Sequence, residues 1–209
     1  MPVRTSVVIA AWNAQAYVAE TVDSVLAQTE PADEVIVVDD GSTDATRQVL
    51  AGFGTRIVLA VQENRGQAAA VNHGLALARG ALIGFCDADD LWTPRKLALQ
   101  RTVLAQQPAA EAVFGRVQQF VSPDVPAALQ ARLRPAVETA AGELKQCMLI
   151  RREALNRGGP FDETLPATFF IAWLARAKQA GLVVAPLDEM VVRRRLHLAN
   201  GGRLQTEAQ

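Results

Sequence analysis

The run Ala81-Leu82-Ile83-Gly84-Phe85 leads through Cys86 straight into Asp87-Ala88-Asp89-Asp90, three carboxylates in four residues. A strand apolar enough to be buried on both faces cannot end in unpaired buried acids, since each would cost several kcal/mol. The acids must emerge at a rim, and something cationic must meet them there. A divalent metal suits hard oxygen ligands, and open α/β sheets gather their ligands at the carboxyl ends of strands. A second apolar run, Val35-Ile36-Val37-Val38, ends the same way in Asp39-Asp40-Gly41-Ser42-Thr43-Asp44. Two such strand ends in one alternating pattern point to a single cleft for a metal-bound polar ligand.

The pattern between them is regular. Residues 6–10 read as a strand buried on both faces. Asn13 reads as the N-cap of a helix over 14–28, with Tyr17, Val18, Val22, Val25 and Leu26 on one stripe. Residues 34–38 form the second strand. Asp40-Gly41 makes a turn, and Ser42 or Thr43 caps a helix through Leu50. Strands follow at 56–61 and 81–85, with a helix over 67–78 between them and another from Pro94 to 106. Crossovers this short require parallel strands with helices on both faces. Beyond, the spacing predicts strands at 112–121, 146–151, 183–185 and 190–194. It also predicts a proline-bearing excursion at 122–135, helices at 152–156 and 169–180, and a frayed tail at 201–209.

The chain of 209 residues is long enough to bury a sizeable core as one domain. We divide it into a regular first half, 1–107, a less regular second half, 108–200, and the tail. A formal charge of −1 leaves no electrostatic footprint for nucleic acid. Cys86 and Cys147 match no zinc or redox spacing and read as reduced thiols, which fits a cytoplasmic location. The first ten residues do not read as a secretory signal, and no apolar stretch nears the length of a membrane span. The expectation is at most peripheral contact with a membrane.

Read in order, the residues resemble the family 2 glycosyltransferases of GT-A fold, over roughly residues 6–200. Val7-Val8-Ile9 with Asn13 looks like the opening strand and loop. Asp39-Asp40-Gly41-Ser42-Thr43-Asp44 matches the second acidic loop. Asn64-Arg65-Gly66 and Asn72-His73-Gly74 resemble the Asn-x-Gly segments, and Asp87-Ala88-Asp89 the Asp-x-Asp motif. Arg151-Arg152, Gly159 and Phe161-Asp162-Glu163 resemble the segment before the acceptor helix. Arg195-x-His197-x-x-Asn200 is similar to the C-terminal motif.

The resemblance implies an α/β, mostly parallel central sheet and transfer of a sugar from a nucleotide-diphospho-sugar, typically a UDP-sugar, with Mn²⁺ or Mg²⁺. The acceptor stays open among glycan, lipid and peptide, and a homodimer is left open too. By resemblance, Asp89 and His197 meet the metal, and Asp87 meets the ribose or the metal's water shell. Asp39 accepts from the base, the backbone of Ala10, Ala11 and Asn13 lies against it, and Arg65 reaches phosphate or base. The blander readings are a turn-forming Asp39, a solvated Arg65, a structural His197 and an Asp90 that caps the next helix. Of Arg193-Arg194-Arg195, one or two residues would reach inward. Trp92 is a candidate for stacking on a sugar, and Trp173 reads as core.

One departure stands out. The family takes its general base from a Glu-Asp pair near the helix containing Trp173, yet no acid lies between Glu163 and Asp188. Three readings stay open: Asp162 or Glu163 substitutes, the acceptor needs little activation, or the protein binds donor without efficient transfer.

Overall fold

The computed structural model describes residues 3–133, 135, 138–141 and 143–198. Asn200 and the tail therefore lie outside the described residues. The chain runs β1 (Thr5–Ala11), α1 (Val18–Leu26), β2 (Glu34–Asp40), α2 (Thr46–Ala51), β3 (Val58–Gln62), α3 (Gln67–Leu77) and β4 (Leu82–Asp87). It continues through β5 (Leu91–Trp92), α4 (Lys96–Gln106), β6 (Ala112–Val121), α5 (Ala127–Leu133) and β7 (Thr139–Ala141). The last elements are β8 (Met148–Arg151), α6 (Arg152–Arg157), α7 (Phe169–Gln179) and β9 (Val184–Leu196).

The strands form one sheet in the order β3-β2-β1-β4-β8-β6-β9-β5, with β7 on β6. The first four strands are parallel, as the short helical crossovers require. Beyond β4 the sheet is mixed: β8 is antiparallel to β4 and β6, while β9 is parallel to β6. The core needs no alternation in β1, β2 and β4, because Val7, Val8 and Ile9, Ile36 to Val38, and Ile83 and Phe85 are all fully buried. Gly74 lets α3 press on this sheet, since a Cβ there would sit 2.5 Å from Val8 Cγ1. On the second half Phe161 packs edge-on against Phe85 and Phe169, and Trp173 is buried as read.

Several local expectations are corrected. Asn13 does not cap a helix: it adopts φ 46°, and its Oδ1 accepts from Thr43 N at 2.8 Å. The helix starts later, at Val18, because Ala14 N donates to Thr46 Oγ1 and Gln15 N to Asp44 Oδ2, tying 13–15 to the second acidic loop. Neither Ser42 nor Thr43 caps α2; Asp44 Oδ1 accepts from Thr46 N instead. The strands expected at 183–185 and 190–194 are one strand, β9, whose pairing with β6 absorbs the intervening residues at an irregularity around Arg116. Among the described residues no helix is long and apolar enough to cross a membrane.

Candidate active site

Strand order sets the place. From β1 the chain winds outward to β2 and β3, then returns across β1 to lay down β4. The switch point between β1 and β4 opens a crevice at the strands' carboxyl ends. Register puts both acidic rims there: Asp39 lies opposite Ala11, and Asp87 opposite Ala10 on the other flank of β1. Ala10 and Ala11 are thus the last residues of β1 rather than loop; Trp12, 57% exposed, and Asn13 begin the loop.

The first rim is occupied by the protein's own donors. Asp39 is buried, with Oδ1 accepting from Ser42 N at 3.0 Å and Oδ2 from Arg47 Nε at 2.9 Å. Asp40 gathers the third loop, accepting from Gln62 Nε2, Arg65 N and Gly66 N within 2.9 Å. Gly41 permits this closeness, with φ 70° and Asn64 N only 2.6 Å from where a Cβ would be. Gly41→Ala should therefore lose about 1–3 kcal/mol from backbone strain, read as a lower urea midpoint.

The second rim is built from distant parts of the chain. β5 pairs antiparallel with β9, Leu91 opposite Arg193 and Trp92 opposite Val192, so the end of β9 folds back over residues 87–90. Asp89 Oδ2 then lies 3.0 Å from His197 Nε2. Arg195, buried, fastens the arrangement: its backbone N donates to Asp90 Oδ1, its Nε to Asp89 O, and its guanidinium to Ser122 and Glu20. Tyr17 lies against His197, ring centroids 4.5 Å apart, and donates to Asp124 Oδ2 at 2.7 Å. Burial, helped by that acceptor, pushes its hydroxyl up to about 12, so it remains a donor.

Asp87 faces other partners. Lys145 Nζ is 2.5 Å from its Oδ1, and Gln67 Nε2 donates to the same oxygen at 3.0 Å. Asp90 is not a helix cap. It is buried and accepts from Arg195 N and Gln146 Nε2, while burial, then the charges of Asp89 and Asp87, push its pKa well above the carboxylate range. Trp92 is also core, its indole N–H donating to Phe85 O, and so is no sugar platform.

The acceptor-side candidates separate. Asp162 accepts from Thr164 N and Oγ1 inside its own turn, and those bonds hold its pKa down, which suits a turn former better than a base. Glu163 bridges halves: Oε2 takes Arg65 Nη2 at 2.8 Å and Oε1 takes Asn72 Nδ2 at 3.1 Å. Asn72 also clamps the Phe161 backbone at both its N–H and its carbonyl. Arg65 is therefore ion-paired rather than simply solvated.

Adjacent ligands of an octahedral ion with bonds of about 2.1 Å stand about 3.0 Å apart. The Asp89–His197 contact, a hydrogen bond of 3.0 Å, matches that edge in length. Among the described residues no group of three His, Cys, Asp or Glu could hold a metal. Asp89 and His197 would supply two donors to such an ion, and phosphates and water would have to supply the rest. Two described cavities, about 420 and 580 Å³, lie elsewhere, one beside Asp33 and Leu82 and one beside β6 and α5.

Known proteins resemble the chain in sequence and in fold. The chain is 40% identical over 114 residues to the putative teichuronic acid biosynthesis glycosyltransferase TuaG of Bacillus subtilis, covering 53% of this chain and 45% of that one. The chain spans less than half the length of the curated relatives it matches first. Among solved structures it is similar to S. aureus TarS 1-349 in complex with UDP, with TM-score 0.73 at 20% identity over 92% of this chain and 60% of that one. It is also similar to Mycobacterium tuberculosis glucosyl-3-phosphoglycerate synthase in complex with Mn²⁺, UDP and glucosyl-3-phosphoglycerate, with TM-score 0.66 at 23% identity over 96% of this chain and 75% of that one. These likenesses show the expected GT-A fold. The model of glycosyl transferase family 2 matches residues 6–159, and with most of its length inside that match the chain belongs to this family.

Proposed function

We propose that the protein transfers a sugar from a nucleoside-diphosphate sugar, in the first instance a UDP-sugar, with a divalent cation held between Asp89 and His197. The observation that carries this reading is their 3.0 Å approach at the switch point, with acidic strand ends on both sides of β1. A cation bound there would neutralise charge growing on the departing diphosphate. Asp89 and His197 would hold it, Arg195 keeps both in register, and Asp87, beside Lys145 and Gln67, would meet the ribose or the metal's water shell. Mn²⁺ and UDP in a neighbouring structure fit the same chemistry. The acceptor remains a glycan, lipid or peptide.

A thermal-shift panel of nucleotide sugars, each with and without Mn²⁺, tests the proposal. At a hundredfold excess over Kd, bound donor stabilises by about 2.7 kcal/mol, or about 5–10 °C in a chain of this size. The rise is expected for a uridine donor only with Mn²⁺ present. No shift with any donor plus Mn²⁺ would refute it.

One observation favours a second reading, a sugar-nucleotide binder without transfer. The acceptor helix carries no acid, and both oxygens of Glu163 are engaged. General-base assistance is typically worth 10²–10⁴-fold. Transfer to any acceptor faster than donor hydrolysis would exclude this second reading.

A further inference from the structure

Lys145 was not signalled by any motif, yet its ammonium lies 2.5 Å from a carboxylate of the Asp-x-Asp run. It opens a 3-10 turn, Lys145–Cys147, that feeds β8, and the antiparallel pairing of β8 with β4 sets this turn beside Asp87. Only 5% of its side chain is exposed, and Nζ is 5.9 Å from the Phe85 ring centroid. Such a lysine is held in place, unlike a flexible surface chain. The ammonium and the Gln67 amide share one oxygen of Asp87.

A monovalent cation fixed on one carboxylate of a metal site has a direct electrostatic consequence. A second cation reaching that carboxylate must displace the first or be repelled by it. We propose that Lys145 is a resident counter-cation that withholds Asp87 from the metal, so that the divalent ion binds the Asp89–His197 half-site well only when a diphosphate supplies further oxygens. The inference rests on the donor reading above and adds a binding order to it. With Asp87 neutralised, two protein donors remain for an ion that wants six or more. Metal and nucleotide then bind as a coupled pair, each raising the other's affinity by the same factor. Lys145 is a positioning residue in this scheme, acting through Asp87.

The test is Mn²⁺ titration of the whole chain, followed by the electron paramagnetic resonance signal of free Mn²⁺, with and without UDP. The wild type is expected to bind Mn²⁺ weakly alone and tightly with UDP, and failure of both arms would count against the donor reading itself. Lys145→Met is expected to raise the affinity for Mn²⁺ alone about tenfold, within the ordinary span of site–site coupling, and Lys145→Arg to leave it at the wild-type value. An unchanged or weaker affinity in Lys145→Met overturns the inference while leaving the donor reading intact. Should Lys145→Met fail to fold, the double variant Asp87→Asn with Lys145→Met, which removes both charges of the pair together, decides: its affinity for Mn²⁺ alone should stay within about twofold of wild type. A loss as large as that of Asp89→Asn would show that Asp87 is a ligand and Lys145 no barrier.

Discussion

Asp89→Asn should remove metal-dependent nucleotide binding and lower donor turnover by about 10²–10⁴-fold, the equivalent of several kcal/mol of charge stabilisation on the leaving diphosphate. The substitution keeps the shape of the side chain and an oxygen within reach of His197, 3.0 Å away in the native protein. It deletes the charge and exchanges one of the two carboxylate oxygens for an amide nitrogen. The backbone carbonyl of residue 89 still accepts from Arg195 Nε, so the β9 closure over the loop survives. The unliganded melting temperature should therefore stay near that of the wild type, while the Mn²⁺-dependent shift with UDP vanishes. Asp162→Asn is the matched control: its carboxylate serves Thr164 within one turn and should leave both readouts unchanged. A variant at Asp89 that kept its Mn²⁺-dependent shift would place the metal elsewhere.

Much of this site was legible because strand ends are legible. An apolar run that stops at acids marks a rim, and two such runs in a β-α alternation mark one cleft. Register then placed Asp39 and Asp87 on either flank of β1. What failed were readings that depend on partners far along the chain. Asn13 has the residue type of a helix cap, but Ala16 three residues on offers no reciprocal Glu or Gln, and Thr43 claims its side chain. Asp90 looked like a cap because Pro94 follows, yet Arg195, 105 residues away, takes it into the core. Lys145 carried one faint signal, a basic residue ahead of an apolar strand. Nothing local says that this strand pairs with the one that ends in Asp87. Pro186, Asp188 and Glu189 are poor strand formers and split the pattern at 186–189, but pairing with β6 on either side, with an irregularity around Arg116, keeps the strand continuous. The Asp89–His197 approach came from the family resemblance alone, and a two-residue strand, β5, brings it about.

Lys96→Met should stabilise the protein by about 2 kcal/mol at pH 7, and the gain should disappear above about pH 10. Lys96 is wholly buried at the start of α4, and its Nζ has no hydrogen-bond partner. Its one compensating contact is the face of Trp92, 4.7 Å from the ring centroid. Burial lowers its pKa from the usual 10.5 to about 8. The folded chain therefore releases this proton more readily than the unfolded one. Between about pH 8 and 10.5 the unfolded state binds more protons, so wild-type stability rises with pH across that window. Below pH 8 the charged folded form carries the full penalty, about 3 kcal/mol for a displacement of that size. Methionine matches the stem of lysine in volume, removes the penalty and forfeits a cation–π contact of about 1 kcal/mol. Other titrating groups are common to both proteins and cancel in the difference. Denaturant melts at pH 7, 8.5 and 10 should show the variant ahead by an amount that shrinks at each step. A difference constant across those three values would mean that the fold leaves the lysine's pKa where the unfolded chain has it, its ammonium being solvated.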